Sequence, residues 1–202
     1  SFGAAAAGGV FVPVNPILKP QQVHHILTDC NVRILVTSAG RLTGLADIVA
    51  GCPDLRHIVL TDGDPADFDF GAVAVHGWSS LRATGTPHRA IDGDMLAILY
   101  TSGSTGRPKG VVLSHRNMVA GAVSVSSYLE NTADDRILCV LPFSFDAGFS
   151  QMTTAFHAGA CAVLMNYLLP NDVVKTAAAQ RITGIGGVPP LWNQLAALDW
   201  PE

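Results

Sequence analysis

Apolar residues in this chain fall into short β-branched runs, separated by longer stretches in which they recur every three or four positions. VFVPV (10–14), VRILVT (32–37), RHIVLT (56–61) and AVAV (72–75) predict buried strands. Between them, PQQVHHILTDC (20–30) and AGRLTGLADIVAGC (39–52) predict helices. Pro20 opens the first of these, where its missing N–H leaves no bond unmade. The pattern lapses in ATGTPHRAIDGD (83–94) and then resumes. MLAILYT (95–101), GVVLS (110–114), RILCVL (136–141), ACAVLM (160–165) and RITGIGG (181–187) predict further strands. HRNMVAGAVSVSSYL (115–129), QMTTAFHA (151–158), DVVKTAAAQ (172–180) and PPLWNQLAAL (189–198) predict the helices among them. Such alternation means βαβ units, hence an α/β fold of mainly parallel sheets with flanking helices. The expected organisation is a first α/β segment at 1–84, a linker at 85–94 and a second α/β segment at 95–202.

Composition agrees with a packed fold. Of 202 residues, 49% are hydrophobic and only 14% charged, enough apolar surface for a sizeable core and too little charge for a disordered chain. The net charge of −4 argues against a broad electropositive face for nucleic acid or anionic lipid, so neither is expected as a partner. Cys30, Cys52, Cys139 and Cys161 lie far apart among apolar neighbours, without metal-ligand spacing. They read as buried, reduced thiols, and no metal-ligating residues are expected. The opening SFGAAAAGGVFVPV lacks a basic leader, contains Gly and Pro, and is too short to span a bilayer. A soluble, cytoplasmic protein is expected.

One anion site stands out locally. Between Met95 and Leu129 there is no Asp or Glu, yet Arg107, Lys109 and Arg116 fall inside that window. Its centre is LYTSGSTGRPKG (99–110), with three glycines, four hydroxyls and one lysine. Glycine lets backbone N–H groups turn toward one point, and Ser102, Ser104, Thr105 and Lys109 add donors. Charge-assisted hydrogen bonds of roughly 1.5–3 kcal/mol each hold a polyphosphate without a basic surface. The loop is not a Walker loop, because Pro108 and Gly110 stand where Gly and Ser or Thr would be needed. The plain alternative is a generic hairpin turn between two strands.

These residues carry a resemblance. YTSGSTGRPKGVVLSH (100–115) resembles the phosphate loop of the AMP-forming acyl-CoA synthetases and peptide-synthetase adenylation domains. GGVFVPVNPILKPQQVHHIL upstream, and LPFSFDAG and ITGIGGVPPLWNQL downstream, are similar to that family's other landmarks in order. The resemblance covers essentially the whole chain and implies part of the large N-terminal domain of an adenylate-forming enzyme. It implies attack of a carboxylate on the α-phosphate of ATP, with magnesium assisting, then capture of the acyl-adenylate by a thiol of CoA or a carrier-protein pantetheine. It assigns Thr101, Ser102, Gly103, Ser104, Thr105, Gly106 and Lys109 to the phosphates, Lys109 with a catalytic part in stabilising departing pyrophosphate.

The resemblance also points to the acid. Amino-acid-activating members carry Phe-Asp where fatty-acid and aryl members usually carry a His; this chain has Phe145-Asp146. By resemblance Asp146 pairs with a substrate ammonium group, and Phe145, Ala147 and Ser150 lie at the same pocket. Two alternatives stand beside this: Asp146 merely caps the following helix in a fatty- or aryl-acid ligase, or the chain is a non-catalytic ATP-binding module. His115 either helps place the nucleotide or simply starts its helix. The other histidines and the tryptophans read as packing or surface residues, and Asp92 and Asp94 as solvated. The family's later landmarks, a Thr-Glu loop, a ribose-gripping Asp and a mobile domain with a catalytic Lys, do not occur before Glu202. The expectation is a piece of a longer protein, with little or no adenylation by these residues alone.

Overall fold

The structure, a computed structural model, describes residues 1–81, 85–101 and 108–200. It divides into two compact units, Val14–Thr86 and a second made of Ser1–Pro13 with Pro87–Glu202. Beside the expected segments, residues 1–13 group with the second unit, and the stretch expected as a linker, 85–94, is divided between the two. Helix α1 (Phe2–Ala6) opens the chain. No strand forms at 10–14. Pro13 has no N–H to give to a ladder, and Phe11 alone makes a parallel bridge, exchanging hydrogen bonds with Leu96 and Ile98.

The Val14–Thr86 unit holds α2 (Pro20–Asp29), β1 (Ile34–Thr37), α3 (Ala39–Thr43), α4 (Ala46–Val49), β2 (His57–Leu60) and β3 (Ala74–Gly77). Its three strands are parallel in the order β1-β2-β3. Val23, Ile26 and Leu27 are the buried stripe of α2, at the i, i+3, i+4 spacing of one helix face. Val23 and Leu27 pack with Leu42, Leu45 and Val49 against Ile58 and Leu60 of β2. The single helix expected at 39–52 is two short ones, interrupted at Gly44 and Leu45. His57 and His76, read as packing or surface residues, are hydrogen-bonded through Nδ1 and Nε2 at 3.1 Å across β2 and β3.

The other unit continues with β4 (Met95–Thr101), β5 (Lys109–Ser114), α5 (His115–Tyr128), β6 (Arg136–Cys139), α6 (Asp146–Ala158), β7 (Cys161–Leu164), α7 (Pro170–Ala179), β8 (Gly184–Ile185) and α8 (Pro189–Leu195). β4 and β5 pair antiparallel, and β7, β6 and β8 form a parallel sheet in the order β7-β6-β8. One core packs Leu138 and Val140 against Val173, Val174, Leu191 and Leu195 of α7 and α8. Another gathers Phe11, Leu96, Ala97 and Phe149, extended by ring contacts from Phe2 to Phe149 and Phe156. Each such large apolar side chain contributes about 1.5–3 kcal/mol on full burial. Cys52 and Cys139 are buried as expected, and desolvation pushes the Cys139 thiol up to about 11. Cys161 is exposed instead, on the edge strand β7.

Candidate functional site

The glycine- and hydroxyl-rich stretch joins the antiparallel strands β4 and β5, so its two ends meet. Thr101 stands opposite Lys109 in the ladder, and the Thr101 hydroxyl donates to the Lys109 carbonyl at 3.5 Å. Ser102, Gly103, Ser104, Thr105, Gly106 and Arg107 lie outside the described residues. Lys109 is exposed, and among the described residues its ammonium group has no carboxylate partner. A cation at the mouth of a hairpin without competing acids suits an anionic ligand such as a triphosphate. Among the described residues no three His, Cys, Asp or Glu side chains converge on a metal position.

β5 runs directly into α5, and the junction is tightly closed. Ser114 is the N-cap: its hydroxyl accepts from the Asn117 N–H at 3.2 Å, and the Asn117 side chain accepts from the Ser114 N–H at 3.0 Å. This reciprocal pair satisfies two N–H groups at the helix start. Asp92 and Asp94 are more than solvated charges. Their carbonyls accept from the N–H groups of Arg116 and His115, and the Asp94 carboxylate accepts from the Ile91 N–H. Arg116 is exposed, 3.9 Å from the Asp92 carboxylate. His115 is the first residue of α5.

The second set of expected site residues sits at the start of α6. Phe145 is the N-cap residue and half exposed; Asp146 and Ala147 are exposed in the first turn, and Ser150 is half-buried one turn on. Asp146 and Ser150, four apart, share a helix face. The N-cap residue, Phe145, makes no side-chain capping hydrogen bond, and Asp146 is the acidic residue of the first turn. Its charge there meets the favourable dipole of the helix start. α6 can begin here because residue 148 is glycine. A Cβ at Gly148 would lie 2.1 Å from the Pro142 carbonyl oxygen, so only a bare Cα lets the first turn press against the preceding loop.

The sheet order makes β6 a topological switch point beside this turn. The chain leaves the central strand β6 through α6 to β7 on one side, and returns through α7 as β8 on the other. Strands whose connections depart to opposite sides leave a gap at their carboxyl ends, where ligands of α/β folds bind. Gln151, nine-tenths buried on α6, reaches across this gap. Its side-chain amide donates to the Gly186 carbonyl at 3.0 Å and more weakly to the Leu138 carbonyl at 3.4 Å, and accepts from the Leu141 N–H at 3.3 Å. Sequence reasoning missed this residue. The available signal was a polar side chain on a buried helix face, with Gly148, Gln151 and Ala155 at i, i+3 and i+7.

The chain matches the AMP-binding enzyme family over residues 1–202. It is 32% identical over 200 residues to tyrocidine synthase 3 of Brevibacillus parabrevis, covering 96% of this chain and 3% of that protein. It is 27% identical over 200 residues to a feruloyl-CoA synthase of an Amycolatopsis species, covering 97% of this chain and 37% of that one. Among solved structures, ATP-bound MatB from Rhodopseudomonas palustris superposes with a TM-score of 0.77 at 28% identity, over 96% of this chain and 37% of that chain. The chain thus spans a little over a third of the feruloyl-CoA synthase and MatB, and a small part of the tyrocidine synthase. With every residue inside the match, the α/β chain belongs to the AMP-binding enzyme family.

Proposed function

We propose that this chain supplies the phosphate-binding and acid-binding parts of an ATP-dependent, AMP-forming ligase that activates a carboxylate for transfer to a thiol of CoA or of a carrier protein. The observation that carries it is the Lys109 ammonium group, exposed at the mouth of the β4–β5 hairpin with no acid beside it among the described residues, in a chain matched throughout to AMP-binding enzymes. ATP, with magnesium on its phosphates, brings the adenylyl group to the acid and gives up pyrophosphate. Lys109 meets the negative charge that grows on the leaving phosphates, a role worth roughly 1.5–3 kcal/mol for a charge-assisted bond. Thr101 holds the hairpin mouth closed, and Ser102, Gly103, Ser104, Thr105 and Gly106 cradle the phosphates. A cytoplasmic setting fits this reading, and no described helix is long and apolar enough to cross a membrane.

The acid is an amino acid or another amino-bearing acid. Asp146, exposed in the first turn of α6, accepts from its ammonium group, with Phe145, Ala147 and Ser150 around it. ATP–pyrophosphate exchange by the complete reading frame that carries this chain tests the proposal, using matched acids with and without an α-amino group. Exchange confined to the amino-bearing acids is expected. Exchange with the plain acids would make this a fatty- or aryl-acid ligase, and tight ATP binding without exchange would make it a nucleotide-binding module.

A further inference from the structure

We propose that Gln151 is the positioning residue that sets the width of the crevice between the carboxyl ends of β6 and β8, and thereby how sharply the site discriminates among carboxylic acids. The inference rests on the ligase reading above and extends it to a residue outside the phosphate hairpin and the Asp146 turn. Three observations carry it.

The first is placement. The ladder between β6 and β8 ends at Leu138 and Ile185, where the two chains go on to α6 and α8. Gln151 links the two, joined to Leu138 and Leu141 on one lip and Gly186 on the other. The Leu141 lip runs directly into residues 142–147, which carry Phe145, Asp146 and Ala147; Ser150 precedes Gln151 on the same helix.

The second is chemistry. A neutral primary amide is both acceptor and double donor, and here it meets one N–H and two carbonyls. A carboxylate would face both carbonyls with no donor, and an apolar side chain would take away the partner that the amide gives the Leu141 N–H and the Gly186 carbonyl. Buried polar groups are costly unless satisfied, so the amide holds both lips at a spacing set by its own length.

The third is complementarity from the far side. A Cβ at Gly186 would fall 2.7 Å from the Gln151 amide nitrogen, so the glycine is what lets the amide come within bonding distance. The near lip is independently held, since the Gly148 contact presses α6 against Pro142. With the Pro142 side fixed, the Gln151–Gly186 link is the adjustable dimension.

The test is ATP–pyrophosphate exchange by the complete reading frame, comparing Gln151→Leu and Gly186→Ala with the parent across a graded series of acids. For Gln151→Leu, the KM for the preferred acid is expected to rise at least tenfold and its preference over the next acid to fall at least fivefold, while the KM for ATP stays within twofold. Gly186→Ala, acting from the opposite lip, is expected to shift the same two quantities. Because that methyl acts through the amide, Gly186→Ala should add no further loss in a Gln151→Ala background. Folded variants whose acid KM and selectivity stay within twofold would overturn the proposal, as would equal rises in the KM for ATP and for acid, or additive losses in the double variant. If Gln151→Leu does not fold, Gly186→Ala decides alone. A parent enzyme that exchanges with no acid overturns the ligase reading itself, an outcome distinct from an active parent with indifferent variants.

Discussion

Two three-stranded parallel sheets in this protein are built from similar material and end differently. In β1-β2-β3 the spatial order follows the chain, so each connection steps the same way and no strand pair is left diverging. In β7-β6-β8 the first strand made is the middle one, and the chain leaves it in opposite directions. The same β-branched runs are therefore laid down in chain order in one sheet, and with the first strand in the middle, a topological switch point, in the other. The charged groups follow suit. Asp62, beyond β2, has its carboxylate occupied by the Ala39 N–H at 2.7 Å, joining two connections of the first sheet. Asp146, beyond β6, stands exposed in the first turn of a helix.

The largest expected break in this comparison comes from exchanging those two carboxylates for amides. Asp146→Asn should lower kcat/KM for amino-bearing acids by about 2–5 kcal/mol, roughly 30- to 5,000-fold, in the exchange assay, because an ammonium partner is lost. Its unfolding midpoint in urea should stay unchanged. Unaltered kinetics would return Asp146 to a purely local role. Asp62→Asn should do the reverse, leaving exchange unaffected and costing at most about 1 kcal/mol of stability.

The two glycine environments sharpen the contrast. Gly148→Ala drives a methyl into the Pro142 carbonyl and should destabilise by about 1–3 kcal/mol in denaturant titration, as overpacking does. Gly40, also helical but in α3, has open space where a Cβ would go. Gly40→Ala should stabilise by up to about 1 kcal/mol, from helix propensity alone. Equal signs for the two substitutions would contradict the close approach at α6.

The smallest effect concerns the amino ends of the second sheet, which are tied as firmly as the carboxyl ends are parted. The Thr183 hydroxyl donates to the Asp135 carboxylate at 2.7 Å, as does the Thr132 N–H. These bonds, the Thr183 bond foremost, hold the Asp135 carboxyl below its ordinary range. A depressed folded-state value means that the contribution to stability is present above the unfolded pKa and disappears as pH falls through the folded one. Asp135→Asn should therefore flatten the acid limb of stability below about pH 4, and match the parent's slope near neutrality. A parallel acid limb in both proteins would exclude that linkage.

Local patterns located most elements. The apolar periodicity gave the positions of α2, α5 and α7, and the β-branched runs those of β1, β2, β4 and β6, because these signals need only a few neighbouring residues. It failed where a neighbour in space intervened: the run at 10–14 became a single bridge beside β4, the RITGIGG strand kept only Gly184 and Ile185, and α6 started five residues before the apolar pattern announced it. Gln151 was illegible for the same reason, since its partners lie 10, 13 and 35 residues away.

By itself the sequence determined the family and the chemistry on offer: a hydroxyl-rich loop with one lysine in an acid-free window, and a lone aspartate after a phenylalanine. Those are properties of contiguous residues, set by side-chain type and backbone freedom. Only the tertiary structure decided that β6 is the central strand, that its neighbours depart to opposite sides, and that one buried amide bridges the opening. Strand order rests on pairing between segments tens of residues apart, which no local pattern encodes.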